Sequence, residues 1–187
     1  MSQSFITQAP ESVLVLIDIQ ERLMAAMPQG VRVRVVEQIK ILITAANTLS
    51  VPVVVTEQYP KGLGHTEAEL KNCLKEDVNI IEKTSFSCIN ADGFLTPIEE
   101  SGRKQVILTG METHICILQT ALDLQQQGFQ VFVVEDAVSS RAKTNQYNAL
   151  QRLRNAGVII TTVESVIFEW LGDANHPEFK NLAKLIS

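Results

Sequence analysis

The sequence predicts an α/β fold: a three-layer α/β/α domain on one six-stranded, mostly parallel sheet with a Rossmann-like strand order. Three observations carry that expectation. Apolar runs without alternation, such as Ser12-Val-Leu-Val-Leu-Ile17 and Val51-Pro-Val-Val-Val-Thr56, are the pattern of strands buried on both faces. Segments with apolar residues at helical spacing lie between those runs. Glycines at 102, 128 and 157 close helical segments. Strands joined through helices pair in parallel by right-handed crossovers, which gives the layered architecture.

In order, the first strand is Ser12 to Ile17, and Pro28-Gln-Gly30 reads as a turn. Val31 to Leu49 carries apolar residues at 35, 36, 39, 42, 43, 46 and 49, the spacing of a helix. Val51 to Thr56 is the second strand, followed by the loop Glu57-Gln-Tyr-Pro-Lys-Gly-Leu-Gly64. Thr66 to Cys73 reads as a short helix, with Thr66 capping and Glu69 three residues later. Val78 to Lys83 is the third strand, Phe86 to Asp92 a loop or pocket wall, and Phe94 to Ser101 a short helix. Gln105 to Thr109 is the fourth strand and Thr113 to Gln127 a long helix. Phe129 to Val134 is the fifth strand, Thr144 to Asn155 a helix, and Val158 to Thr162 the sixth strand. Val163 to Trp170 and Pro177 to Ile186 are the last helices, the second with proline at its first position.

A chain of 187 residues, 45% hydrophobic, is expected to form one domain over residues 1–187. The formal charge is −5 and no Lys/Arg cluster occurs, which argues against a nucleic-acid partner. No apolar run approaches the ~20 residues that cross a bilayer. Met1 to Pro10 lacks the charged and apolar regions of a signal peptide. Three cysteines, at 73, 88 and 116, without Cys-x-x-Cys spacing read as reduced thiols of a cytoplasmic protein.

In a doubly wound sheet the site lies outside the carboxyl ends of the strands. Strand one delivers Asp18 with Gln20 beyond it; strand two delivers Thr56, Glu57 and Gln58; strand three delivers Lys83. Strand four delivers Gly110 and then Cys116, and strand five delivers Glu135 and Asp136. Cys116 falls in the first turn of a helix, where the dipole favours the nucleophilic thiolate. Taken singly, Asp18 reads equally as a cap, Lys83 as a solvated loop lysine and Cys116 as a small buried hydrophobe. Their convergence on one edge favours chemistry.

Leu16-Ile-Asp18-Ile-Gln20, Lys83 in Glu82-Lys-Thr-Ser-Phe-Ser87, Gly110-Met-Glu-Thr-His-Ile-Cys116 and Asp136-Ala-Val-Ser-Ser-Arg141 together resemble the isochorismatase-like cysteine hydrolases. The loop 57–64 is most similar to the isochorismatase domain-containing branch. The resemblance runs from Val13 to about Ser165 and implies a catalytic triad of Asp18, Lys83 and Cys116. It also implies a cis peptide between Met111 and Glu112, and an oxyanion hole from the backbone N–H groups of Glu112 and Cys116. The nicotinamidases of that superfamily hold a metal with an Asp and two His residues. The loop here has only His65 and no Asp-x-His spacing, so no metal and no other cofactor is expected.

The expected reaction is hydrolysis of a small amide- or carbamoyl-type C–N bond through a thioester. Vinyl ether hydrolysis and a non-enzymatic binding protein are the alternatives. Gln20, Tyr59, Phe86 and the Glu112 side chain are candidates for the substrate pocket wall, and Thr113 is assigned to satisfying backbone groups. The apolar positions Ala121, Leu122 and Leu124 suggest subunit contacts, and a dimer or tetramer of identical chains is expected. The expected partner is a small-molecule substrate.

Overall fold

In the computed structural model the described residues are 5–78 and 80–186. The strands are β1 (Ser12–Ile17), β2 (Val53–Gln58), β3 (Ile80–Lys83), β4 (Gln105–Met111), β5 (Gln130–Ser139) and β6 (Ile159–Thr161). They form one sheet in the order β3-β2-β1-β4-β5-β6. Every neighbouring pair is parallel. This is the doubly wound order, which reverses direction between β1 and β4 and opens a crevice at their carboxyl ends.

The helices are α1 (Glu21–Ala25), α2 (Gln29–Thr48), α3 (Pro60–Leu63), α4 (Ala68–Lys71) and α5 (Leu95–Glu100). A π-helical turn (Thr113–Ile117), α6 (Leu118–Gln126), α7 (Lys143–Asn155), α8 (Val163–Leu171) and α9 (Phe179–Ala183) follow. β1 shows why the sheet is covered on both faces. Leu14 and Leu16 pack with Ile39, Leu42 and Ile43 of α2 and Ile167 of α8. Val13, Val15 and Ile17 pack on the opposite side with Phe94, Ile98 of α5, Ala121 and Leu124 of α6 and Leu153 of α7. All six residues of β1 are buried, so unbroken hydrophobicity is what its position demands.

Several boundaries differ from the expectation. The turn at 28–30 is absorbed into α2, which starts directly after Pro28. α1 is absent from the expectation because five residues leave little periodicity to read. Thr66 does not cap α4: Glu67 stands at its N-cap, and the Thr66 hydroxyl donates to Glu57 Oε1 at 2.8 Å. The strand expected from Val78 begins at Ile80; its Asn79, and Met1 to Ser4 of the N-terminal stretch, lie outside the described residues. The helix expected over Pro177 to Ile186 contracts to α9. Of the three apolar positions on α6, Ala121 and Leu124 are fully buried within the subunit and not available for subunit contacts, while Leu122 is half-buried.

The largest difference is β5. The acidic pair Glu135-Asp136 reads as a strand end, yet the strand runs on to Ser139. A register shift between Leu108 and Gly110 on β4 lets β5 continue, pairing Met111 with Ser139. Glu135 therefore pairs with Arg154 at 2.8 Å, and Asp136 accepts a hydrogen bond from the Val163 N–H at 3.0 Å. Neither belongs to the crevice edge, where β5 instead presents Ser140 and Arg141.

Candidate functional site

Asp18 follows β1 at the point of strand-order reversal. Its backbone is left-handed, with φ of 53°, a conformation Asp tolerates better than most side chains. Its N–H donates to the Thr56 carbonyl at 3.1 Å. The carboxylate is fully buried and doubly held: Thr56 Oγ1 donates to Oδ1 at 2.8 Å, and Lys83 Nζ donates to Oδ2 at 2.7 Å. Lys83 arrives from the end of the edge strand β3. Its ammonium also donates to Gln58 Oε1 at 2.7 Å, Ser85 O at 3.2 Å and Phe86 O at 3.4 Å. Cys116 Sγ lies 3.8 Å from Lys83 Nζ, the same ammonium that holds the Asp18 carboxylate. Three groups from β1, β3 and the segment after β4 thus meet in one buried cluster.

The electrostatics of the cluster differ from a simple helix-dipole picture. Burial pushes the Cys116 thiol well above its ordinary value, the Asp18 charge adds to that, and Lys83 only partly opposes it. Desolvation thus works against the thiolate that a helix terminus would favour. Burial also raises the Asp18 carboxyl, against the pull of Lys83 and Thr56. For Lys83, burial works downward, but Asp18 and the neighbouring cysteines outweigh it and the ammonium is held above its ordinary 10.5. Cys88 is buried nearby, 3.9 Å from Thr56 Oγ1, and burial pushes it up to about 11.

Gly110 makes the crevice narrow. It has φ of +120°, and a Cβ there would fall 2.0 Å from the Ile17 carbonyl oxygen. β1 and β4 can approach this closely only with glycine at that position. The Met111–Glu112 peptide bond that follows is cis. The chain then enters the π-helical turn, in which Ile117 N donates to Glu112 O at 3.3 Å.

The sequence-derived pocket residues divide. Gln20 is fully buried and its amide holds backbone: Nε2 donates to Gln58 O at 3.0 Å and Gly64 O at 2.7 Å, while Oε1 accepts from Gln58 N at 2.7 Å. It fixes the loop after β2 instead of lining an open wall. Tyr59 is half exposed and borders a cavity of about 450 Å³ with Lys61, Glu82, Lys83, Asn90 and Asp92. Its ring packs where a side chain on Gly62 would otherwise stand. Phe86 has an exposed ring and contributes its carbonyl to Lys83. Glu112 has a buried side chain and pairs with Arg141.

Some contributors carry no clear sequence signal. Thr56 and Gln58 stand at a strand end, but their grip on Asp18 and Lys83 depends on β1 and β3 flanking β2. His114, Ser140 and Asn145 join Glu112 only because β5 is longer than expected. His114 Nδ1 lies 3.0 Å from Ser140 Oγ and 3.3 Å from Glu112 Oε2, and Asn145 Nδ2 lies 3.3 Å from His114 Nε2. The expectation for Thr113 fails, since its buried hydroxyl has no hydrogen-bond partner among the described residues.

His65 Nδ1 sits 2.9 Å from Glu57 Oε2. Burial raises the Glu57 carboxyl, but the Thr66 N–H and hydroxyl and His65 outweigh it and the net direction is down. Among the described residues no group of three or more His, Cys, Asp or Glu side chains is arranged to hold a metal ion. Among the same residues no helix is long and apolar enough to cross a membrane.

Known proteins match this arrangement over most of the chain. The family described as Isochorismatase domain matches residues 12–165. The secreted isochorismatase effector Isc1 of Phytophthora sojae is 46% identical over 149 residues, covering 78% of this chain and 70% of the effector. Isochorismatase domain-containing protein 2 of Xenopus laevis is 41% identical over 184 residues, covering 94% of this chain and 83% of its own. The solved structure of MAR1 ribonuclease from Caenorhabditis elegans superposes with a TM-score of 0.90 at 40% identity, over 97% of this chain and 92% of that one.

Proposed function

The chain belongs to the isochorismatase family of hydrolases, and from that premise we propose that it cleaves a small amide- or carbamoyl-type C–N bond with Asp18, Lys83 and Cys116 as its catalytic triad. The observation that carries this reading is the buried cluster in which Lys83 Nζ lies 2.7 Å from Asp18 Oδ2 and 3.8 Å from Cys116 Sγ.

Cys116 Sγ attacks the carbonyl carbon while its proton passes to Asp18. Concerted transfer suits a thiol whose ionisation is suppressed and a carboxylate whose basicity is raised by burial. The backbone N–H groups of Glu112 and Cys116 receive the developing oxyanion, where one such donor is typically worth about 3 kcal/mol. The C–N bond breaks as Asp18 returns the proton to the leaving nitrogen, leaving an acyl thioester on Cys116. Water then attacks the thioester, giving its proton to Asp18, and the acid product leaves as the thiol reforms. Lys83 keeps Asp18 in place and limits the build-up of negative charge. Tyr59 and Phe86 flank the approach, and Gln20 positions the loop that carries Tyr59. Three free thiols suit a reducing, cytosolic compartment.

Phosphodiester cleavage is a second reading, suggested by the ribonuclease relative. The −5 charge and the paired state of the cations around the cluster favour the amide. The decisive experiment is a screen of small amides, ureas and carbamates for ammonia release, run beside an RNA oligonucleotide. Ammonia release should fall by roughly 10⁴-fold or more in Cys116→Ala, and intact-mass analysis of the wild type should find an acylated Cys116. RNA cleavage that survives Cys116→Ala, without ammonia from any substrate, would overturn the proposal.

A further inference from the structure

We propose that the Glu112 carboxylate sets specificity by clamping Arg141 as a neutral pair, so that the site takes uncharged amides and disfavours those bearing a carboxylate or phosphate. This rests on the hydrolase reading above and names its substrate class.

The argument starts from the register. Met111 pairs with Ser139, so Glu112 and Arg141 emerge from adjacent strand ends beside the crevice. The Glu112 side chain is 7% exposed and that of Arg141 62% exposed. The carboxylate is therefore the buried member, and the guanidinium is drawn down onto it. Arg141 Nε lies 3.2 Å from Oε1, and the Arg141 backbone N–H donates to Oε2 at 3.4 Å. His114 Nδ1 approaches the same Oε2 at 3.3 Å. A half-exposed arginine at a crevice mouth is the group best suited to receive a substrate carboxylate or phosphate in bidentate fashion. Here an internal carboxylate already occupies that role.

Two other cations near the site are also matched, Lys83 and His65. Lys83 is committed to Asp18. Lys61 lines the neighbouring cavity together with two acids, Glu82 and Asp92. His65 is held by Glu57. An anionic substrate entering the crevice must approach the carboxylates of Glu112 and Asp18, whose cations are already committed to them. The clamp sits on the residue whose backbone follows the cis bond, next to the reacting carbonyl, so the neutralised pair stands where a small substrate has its substituents.

The test uses the full chain and two alkylating reagents of similar shape, neutral iodoacetamide and anionic iodoacetate. Rates at Cys116 are read by peptide mass spectrometry and divided by the rates of the same reagents with glutathione. The wild type should favour the neutral reagent by roughly tenfold, the scale of one unit charge at a partly solvated site. Glu112→Gln, which keeps the shape and the backbone donor, should move that ratio about tenfold toward iodoacetate. Adding Arg141→Gln to it should restore the wild-type ratio. Arg141→Gln alone should sharpen the preference for the neutral reagent, which keeps the test open if Glu112→Gln folds poorly. A wild-type ratio of one or below, or ratios unmoved by both substitutions, overturns the clamp while leaving the nucleophile intact. Cys116 inert to both reagents in folded wild type overturns the hydrolase reading, and the clamp falls with it.

Discussion

In the proposed reaction Cys116 hands its proton to Asp18 as it attacks, because its surroundings disfavour the thiolate. Burial and the Asp18 carboxylate both disfavour the thiolate. Asp18→Asn should therefore move the midpoint of Cys116 alkylation by iodoacetamide to lower pH, because a repelling charge is removed. The same variant should lose roughly 10²–10⁴-fold in hydrolysis for want of a base. Both are read on one preparation, and a midpoint that rises instead contradicts the electrostatic assignment. Lys83 acts in the opposite sense on Asp18. Its loss in Lys83→Met should move the acid limb of the activity profile upward in pH, because the ammonium holds the Asp18 carboxyl down against burial. Breaking a buried pair also costs about 3–5 kcal/mol, measurable by urea unfolding. Lys83 is held above 10.5 in the folded state, so its contribution to stability is complete below that pH and fades above it. Of these residues, the meeting of Asp18, Lys83 and Cys116 was legible, because a Gly-x-x-Thr-x-x-Cys pattern and polar strand ends survive in one dimension. The upward pressure on the Cys116 thiol was not, since desolvation belongs to the packed molecule.

At the scale of the element, the segment from Gly110 to Ile117 concentrates what local pattern cannot express. Apolar periodicity announces a helix after Thr113, but not that its first turn is π-helical. That turn shifts the phase of the side chains by one residue against the α-helix that follows. The close approach of β4 to β1 makes a direct prediction. Gly110→Ala would set a Cβ against the Ile17 carbonyl at 2.0 Å in a backbone conformation that L residues avoid. The neighbour is main chain and has nowhere to swing, so the loss should be on the order of 4 kcal/mol by chemical denaturation. An Ala variant as stable as the wild type contradicts the narrow crevice. β5 teaches the complementary lesson. Glu135 and Asp136 look like a strand end because polarity is a weak guide where a strand emerges between helices. Its continuation depends on a register shift in the neighbouring strand, which no window of β5 itself contains.

For the whole molecule, the layer order follows from facts that sequence does carry. Six apolar runs alternate with helices, crossovers are right-handed, and both sheet faces need cover. The two cores confirm how the alternation along β1 is divided between α2 and α8 on one side and α5, α6 and α7 on the other. Phe94 is the largest fully buried side chain of the second core, so Phe94→Ala should cost about 3–5 kcal/mol in urea unfolding without altering the identity of accepted substrates. A changed substrate preference at unchanged stability would mean that this core reaches into the pocket.

The sheet also ranks the anchors of the site by durability. Asp18 and the approach to Cys116 hang from β1 and β4, the central strands, whose residues are all buried. Lys83 hangs from β3, a four-residue edge strand paired only with β2 and half open along its length. Amide hydrogen exchange should accordingly be slowest in β1 and β4 and much faster in β3. Under mild denaturant the centre then fails from its rim inward. The Lys83 ammonium departs while Asp18 and Cys116 are still in register, so under the proposed mechanism turnover first drifts to higher pH and only later stops with global unfolding.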